Sequence, residues 1–412
     1  MIVDSAFLGS ALMVVILLLV GVLISRTKLP AAVKVFLVVG LGARLAGAWA
    51  RQTIAADARV YFQWGERYAE YFARFDLAPL FDPALWRSAG WVGTNAVAYP
   101  AGFAIAVLGP AWYGVFLVYT LLAFAGVVAY GLAFRANAPG GGPTSYWAWL
   151  MLFPSLVFWP SSIGKEALMM LGLGITAFGF LRREESASWW LVATGLLIVY
   201  AIRPQVAAIA ALAIVLTYTL RPQGMGPLRV IESTLILGVG LVVMWAALES
   251  SDVGGADLES IEEYVVESNR RSQQGGSEIG AAGFGLSSVP VAAVNVLLRP
   301  FPWEATSLTT AVSALEVLLL WGLVVMKRRQ LWAALRRWRT TRLTRYALLF
   351  AVLYVIGLGM NLGNLGIIAR QRVLVFPLLF VLIQAGAVWV PRAQPVLFPQ
   401  HSPVPGAPTS PA

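Results

Sequence analysis

Asp57 opens the run Asp57-Ala58-Arg59-Val60-Tyr61, just beyond an apolar stretch that ends near residue 50. A carboxylate at that position can orient or deprotonate a hydroxyl as a general base. Its structural alternative is a helix N-cap that accepts orphaned backbone N–H groups. A second carboxylate, Glu166, follows Lys165 at the end of Phe153-Pro154-Ser155-Leu156-Val157-Phe158-Trp159-Pro160-Ser161-Ser162-Ile163-Gly164. Charges placed there, between two apolar runs, are costly unless paired or facing a wet cavity. A snorkelling pair at a membrane interface is the simpler reading. Cations recur in comparable places: Arg203 before Pro204-Gln205, Arg299 in Arg299-Pro300-Phe301-Pro302-Trp303-Glu304, and Arg370 and Arg372 in the segment from Asn361. Guanidinium groups stay charged and bind phosphate oxygens bidentately, so such a set suits a lipid phosphate or pyrophosphate. Each arginine taken alone is equally an anchor for a helix end.

The elements that must position these residues are membrane helices. Of 412 residues, 59% are hydrophobic and only 12% charged, against about 25% charged in soluble domains. The expected fold is all-α, a polytopic membrane helix bundle with amphipathic helices on its outer face. Apolar runs predict about eleven crossings, at 7–25, 31–50, 113–134, 145–161, 166–181, 187–201, 204–220, 229–248, 308–326, 345–361 and 372–390. Runs of this length cross a hydrocarbon layer about 30 Å thick and satisfy their backbone hydrogen bonds only as helices. The first run lacks the basic start of a signal peptide and is read as a helix. The segment 99–110, flanked by Pro100 and Pro110, reads as interfacial or re-entrant. Residues 1–390 form one integral membrane domain, and the Pro-rich 391–412 reads as a disordered cytoplasmic tail.

The stretch 327–345 carries eight cations and no acid, the pattern of a cytoplasmic loop. That assignment puts two long loops outside. Loop 51–98 has five arginines and five acids, and loop 249–307 has nine acids and three arginines. The net charge of +10 is therefore a topology signal that also attracts anionic membrane lipids, rather than a nucleic-acid surface. Within the first outer loop, Tyr61, Trp64, Tyr68, Tyr71, Phe72 and Phe75 recur at helical spacing opposite Arg59, Gln63, Glu66, Arg67, Glu70 and Arg74. This predicts a helix lying on the membrane surface, aromatic side down.

Absences narrow the chemistry. There is no cysteine, and the one histidine is His401 in the tail. Thiolate chemistry, Cys-ligated metals and His-based triads are excluded. Glu316 sits mid-way in an apolar run and is expected to be protonated or paired, for instance with Arg44. The Gly-rich 275–285 lacks the Gly-Lys-Ser/Thr ending of a phosphate-binding loop and reads as a flexible loop or a flap over the site.

The order of an apolar helix, an outer loop opening Asp57-Ala58-x-x-Tyr61, aromatic amphipathic helices and Tyr99-Pro100 resembles the GT-C superfamily. These are polyprenyl-phosphate-sugar-dependent glycosyltransferases of the protein O-mannosyltransferase and lipid A aminoarabinose transferase types. Phe153–Glu166, Arg299–Glu304 and Asn361–Arg372 also resemble motifs of multi-pass proteins from bacterial polysaccharide clusters. The likeness covers roughly residues 31–390. It implies a bacterial inner-membrane enzyme with an extracytoplasmic site, a polyprenyl-phosphate-linked sugar donor, and a glycan, lipid or protein acceptor. It implies the catalytic role for Asp57; the residue pattern itself adds Glu166 as a second catalytic candidate and Arg59, Tyr61, Lys165, Arg203, Arg299, Trp303, Glu304, Arg370 and Arg372 as candidate substrate contacts. Many members carry two adjacent acids where this chain has Asp57-Ala58, so the resemblance leaves room for a divalent cation, Mg or Mn, without requiring one. Two other readings share these features: an O-antigen-type polymerase or ligase, in which the arginines dominate, and a transporter or flippase for a lipid-linked sugar, which needs polar groups along a path through the bilayer. A structural subunit is a third.

Overall fold

Proline and small residues decide where the apolar runs break and how closely they pack. The computed structural model describes residues 5–87, 91–182, 187–221, 258–272 and 285–386, together with Thr234, Gly238, Gly240, Val242, Ile279 and Gly283. The expected crossing at 229–248, most of the 275–285 stretch and the 391–412 tail lie outside them. Among the described residues every regular element is a helix.

The chain begins with α1 (Ser5–Arg26) and α2 (Ala31–Ile54), followed by α3 (Ala56–Phe72), α4 (Thr94–Leu108) and α5 (Trp112–Asn137). Next come α6 (Ser145–Leu152), the short α7 (Pro154–Phe158), α8 (Lys165–Leu181), α9 (Trp189–Ile202) and α10 (Pro204–Thr219). After α11 (Leu258–Ser272) and α12 (Val289–Leu297), the chain forms α13 (Leu308–Met326), α14 (Arg328–Arg336), α15 (Arg342–Asn361), α16 (Leu365–Gln371) and α17 (Phe376–Ala385).

Among the described residues, four helices are long and apolar enough to cross a membrane: Phe7–Arg26 of α1, then α2, α5 and α15. Counting each of two bent pairs as one span gives up to six. One pair is α13 with α14, bent by 70°; the other joins Leu365–Leu374 to α17 at 55°. The expected eleven crossings are thus not matched by eleven long helices. Pro154 cuts 145–161 into α6 and α7, because the residue before a proline is pushed out of helical geometry and Phe153 is extended. The expected runs 166–181, 187–201 and 204–220 are helical, but α8, α9 and α10 have only 17, 14 and 16 residues. The segment 99–110 lies in α4, which runs unbroken from Thr94 through Pro100 to Leu108 and is one of the shorter apolar helices rather than a long span.

The amphipathic α3 forms where the aromatic periodicity places it, but its apolar face does not await lipid. It packs along α4, with Phe72 stacked on Phe103 at 3.9 Å and Tyr68 5.1 Å from Tyr99. The centre of the bundle is α8, held between α5 and α9 through backbone-level contact. A Cβ on Gly126 of α5 would stand 2.2 Å from the Met170 carbonyl oxygen, and one on Gly174 of α8 would stand 2.2 Å from that of Gly126. Small residues at such seams let helix backbones approach in the absence of a hydrophobic driving force.

Arg44, fully buried in α2, ties down the break between α6 and α7. Its guanidinium donates to the carbonyls of Gly40 and Met151 at 3.0 Å, Leu150 at 3.1 Å and Leu156 at 3.3 Å. Carbonyls in the last turn of a helix have no partner within it, so the break creates acceptors and Arg44 satisfies them. Gly126→Val is expected to destabilise the protein by about 1–3 kcal/mol, the usual cost of overpacking, and to lower its melting temperature in detergent by several degrees. Gly42→Ala, where an added Cβ meets nothing within 4 Å, is expected to leave melting unchanged or slightly raised.

Candidate functional site

Glu166 lies in the first turn of α8, where the helix dipole favours a carboxylate. It is 2% exposed, and two guanidiniums face it: Arg370 Nη2 at 2.7 Å and Arg203 Nη2 at 3.5 Å. Arg203 is delivered by the extended residue between α9 and α10, fixed by Pro204 in the first turn of α10. Arg370 comes from α16, whose start is capped by Asn364; its Oδ1 accepts from the N–H of Gly366 at 2.9 Å and of Ile367 at 3.2 Å. The other arm of Arg370 donates to Asp57 Oδ2 at 2.7 Å. One guanidinium thus bridges two carboxylates that lie 109 positions apart in the chain.

Asp57 is not the N-cap of α3. Ala55 holds that position and makes no side-chain cap. Asp57 is the second residue of the helix, 57% exposed at its side chain, and borders a cavity of about 190 Å³. Arg51, Ile54, Trp159, Ser162 and Arg370 also line this cavity. Arg51 is a site residue that the sequence reading assigned only to loop charge. Its position followed from helical spacing: with Arg44 and Ala48 it falls on the face of α2 buried against the bundle. Its guanidinium carbon sits 5.0 Å from the ring centroids of both Phe158 and Trp159, and Nη2 reaches Ser162 Oγ at 3.5 Å.

Lys165 is half-buried beside this group. Burial first, then Arg203 and Arg370, pushes its ammonium down to about 8, against the opposing pull of Glu166 and Asp57. Tyr61 is buried below Asp57; burial, followed by the charges of Asp57 and Glu166, pushes its hydroxyl up to about 12. Arg59 is exposed on the outer side of α3.

The remaining candidates assemble elsewhere. Arg299 and Glu304 form a closed pair, with Nε donating to Glu304 Oε1 at 2.9 Å and Oε2 at 3.1 Å, while the Phe301 N–H donates to Oε2 at 2.8 Å. Burial raises the Glu304 carboxyl, but these hydrogen bonds outweigh it and leave it below the usual range. Trp303 is 80% exposed and stacks on Phe301 at 4.8 Å. Arg372 lies two residues beyond Arg370, roughly 200° around a helical turn, and points away from Asp57. It donates to the Arg299 carbonyl at 2.6 Å and stands 3.7 Å from Glu316. Glu316 also accepts from the Ser155 N–H at 2.6 Å and from the Ser155 hydroxyl. The expected Glu316–Arg44 pairing is therefore replaced by Glu316–Arg372–Ser155, and Arg44 binds carbonyls instead.

A second cavity, of about 300 Å³, adjoins the first. Ile54 and Trp159 line both, and the second is otherwise walled by Pro154, Ser155, Phe158, Val312, Ser313 and Glu316. An anion-attracting cavity and a mostly apolar one thus share a wall. Among the described residues no group of three or more His, Cys, Asp or Glu side chains is placed to hold a metal ion. No family model matches the chain, and no curated protein or solved structure shows significant similarity to it.

The basic stretch lies at the opposite end of α8. Arg342 Nη1 donates to the Phe180 carbonyl at 3.1 Å, about 22 Å along the helix from Lys165 at 1.5 Å per residue. Lys165 supplies a pH dependence. Its charge is present below about 8 and lost above, so affinity for a phosphodiester, whose own charge is constant, is expected to fall between pH 7 and pH 9. The expected loss is roughly tenfold, because a charge-assisted contact contributes about 1.5 kcal/mol and 1.4 kcal/mol is a factor of ten. Binding titrations across that range check it, and Lys165→Arg should flatten the profile.

Proposed function

We propose that this chain is a membrane glycosyltransferase that moves a sugar from a polyprenyl-phosphate-type donor to a glycan, lipid or protein acceptor, on the outer face of a bacterial inner membrane. The observation that carries the reading is the shared wall of Ile54 and Trp159 between a cavity bearing Arg51 and Arg370 and an apolar cavity of about 300 Å³. An amphipathic anion fits that pair: the phosphate on the guanidinium side, the isoprenoid chain on the apolar side. The far-end position of the basic stretch supports the orientation, since positive loops stay in the cytoplasm.

The chemistry asked of the residues is modest. Asp57 Oδ2 is held by Arg370, which leaves Oδ1 to orient an acceptor hydroxyl and take its proton. The acceptor oxygen attacks the anomeric carbon, the bond from that carbon to the phosphate oxygen breaks, and the electron pair stays on the phosphate. Arg370 and Arg51 stabilise the charge that develops there. Glu166 is buried and occupied by two guanidiniums, so its role is to position Arg203 and Arg370 rather than to move a proton. No nucleotide site is needed, because the donor arrives activated.

A polymerase or ligase acting on a lipid-linked glycan is the second reading, favoured by the preponderance of cations over carboxylates at the site. Asp57→Asn separates the two. Loss of a general base costs typically 10²–10⁴-fold in rate. A deletion strain complemented with Asp57→Asn is therefore expected to show the deletion's envelope-glycan and lipid-linked-sugar profile. Full rescue would remove the general-base role and leave the polymerase reading. An unchanged profile in the deletion strain itself would remove both.

A further inference from the structure

The charges at the site do not balance. The groups that sense one another electrostatically are the cations Arg51, Lys165, Arg203 and Arg370 and the carboxylates Asp57 and Glu166. Four positive charges against two negative leave an excess of two. Donors are also in excess. Arg51 Nε, Arg203 Nη1 and Arg370 Nε are buried without a hydrogen-bond acceptor among the described residues, against one buried acceptor without a donor, Glu166 Oε1. Arg51 itself is 5% exposed and borders the cavity. Leaving buried donors unmet is costly, and guanidinium desolvated against aromatic rings has little water to turn to. Native sites with this pattern call for a ligand that brings both the charge and the acceptor oxygens.

We infer that the anion this site takes is a lipid-linked diphosphate diester, with two charges, rather than a monophosphate diester, with one. The inference rests on the glycosyltransfer reading for the lipid and sugar ends, and on the excess of two charges and the unmet buried donors for the diphosphate. A monophosphate diester would leave one cation uncompensated and has three fewer bridging and terminal oxygens to offer. The diphosphate matches the excess, and the cavity of about 190 Å³ holds the volume of roughly six waters at about 30 Å³ each. When the sugar–oxygen bond breaks, the leaving diphosphate gains a third negative charge while the acceptor's proton passes to Asp57. The half-buried Lys165, which makes no ion pair with a carboxylate among the described residues, is the cation left to follow that charge.

The experiment measures dissociation constants for the full chain in nanodiscs of neutral lipid. Four probes are used: the methyl ester of farnesyl phosphate, the terminal methyl ester of farnesyl diphosphate, inorganic phosphate and inorganic pyrophosphate. The farnesyl diphosphate ester is expected to bind at least tenfold more tightly than the farnesyl phosphate ester. Lys165→Gln and Arg51→Gln should each remove most of that preference, whereas Lys165→Arg keeps it at pH 7; unchanged melting temperatures show that the variants fold. Equal binding of the two esters, or a preference for the monophosphate, overturns the inference and leaves the glycosyltransfer reading standing. Failure of both esters to bind overturns the two together. Inorganic pyrophosphate binding as tightly as the farnesyl diphosphate ester overturns the lipid-linked part, since the apolar cavity then contributes nothing.

Discussion

A buried carboxylate facing two guanidiniums is the constraint on which the site end of this molecule depends. Removing one partner from such an arrangement typically costs 3–5 kcal/mol, because it strands an uncompensated charge. Glu166 therefore commits three separate pieces of chain at once: the start of α8, the turn between α9 and α10 through Arg203, and α16 through Arg370. Arg370 extends the commitment to α3 through Asp57. None of these elements could shift by an ångström or two without opening an ion pair in a poorly hydrated place. The glycine seams on either side of α8 complete the constraint, since Gly126 and Gly174 against α5, and Gly172 and Gly195 against α9, leave no slack between backbones. The bundle holds Glu166 still, and Glu166 holds the site.

The cations of the site end are divided between two tasks by helix geometry. Arg370 and Arg372 are near neighbours in the chain, yet α16 and the turn after it send them to opposite sides. Arg370 reaches the open cavity, and Arg372 is spent on Glu316 and on the carbonyl of Arg299. Arg299 is in turn closed on Glu304. The second group is a tie between α13, the turn after α12 and α16, with its charges internally satisfied. The first group keeps surplus charge, and surplus charge is what distinguishes a binding site from an internal strut.

How much of this was legible in the sequence follows from what each signal measures. Hydropathy registers apolar runs, and it located the helices, but it does not register where an apolar run stops being one helix. Pro154 broke the run 145–161, which composition alone joined, and the count of crossings suffered accordingly. The aromatic periodicity of α3 announced that one face would be covered, but not by what; α4 covers it because Gly65 and Gly102 allow the two helices to meet. Asp57, Lys165, Glu166, Arg203 and Arg370 were legible as polar residues at the ends of apolar runs. Their partners were not, since pairing between residues 37 to 313 positions apart leaves no local pattern. Arg51 was missed because it was counted with the loop it precedes rather than with the buried face of the helix it ends.

Arg51 also shows why the two cavities act as one surface. Its guanidinium lies between Phe158 and Trp159, whose faces attract a cation while excluding water. Phe158 and Trp159 line the apolar cavity, and Trp159 and Arg51 line the charged one. The same ring thus faces hydrocarbon on one side and supports a cation on the other. A lysine could not serve equally, because its compact ammonium is strongly hydrated, whereas guanidinium is weakly hydrated and stacks on aromatic faces. A free anion would use only the charged side, and a plain hydrocarbon only the other. Under the proposed reading, the junction at Trp159 receives a molecule that carries both in sequence, an anionic head joined directly to an apolar chain.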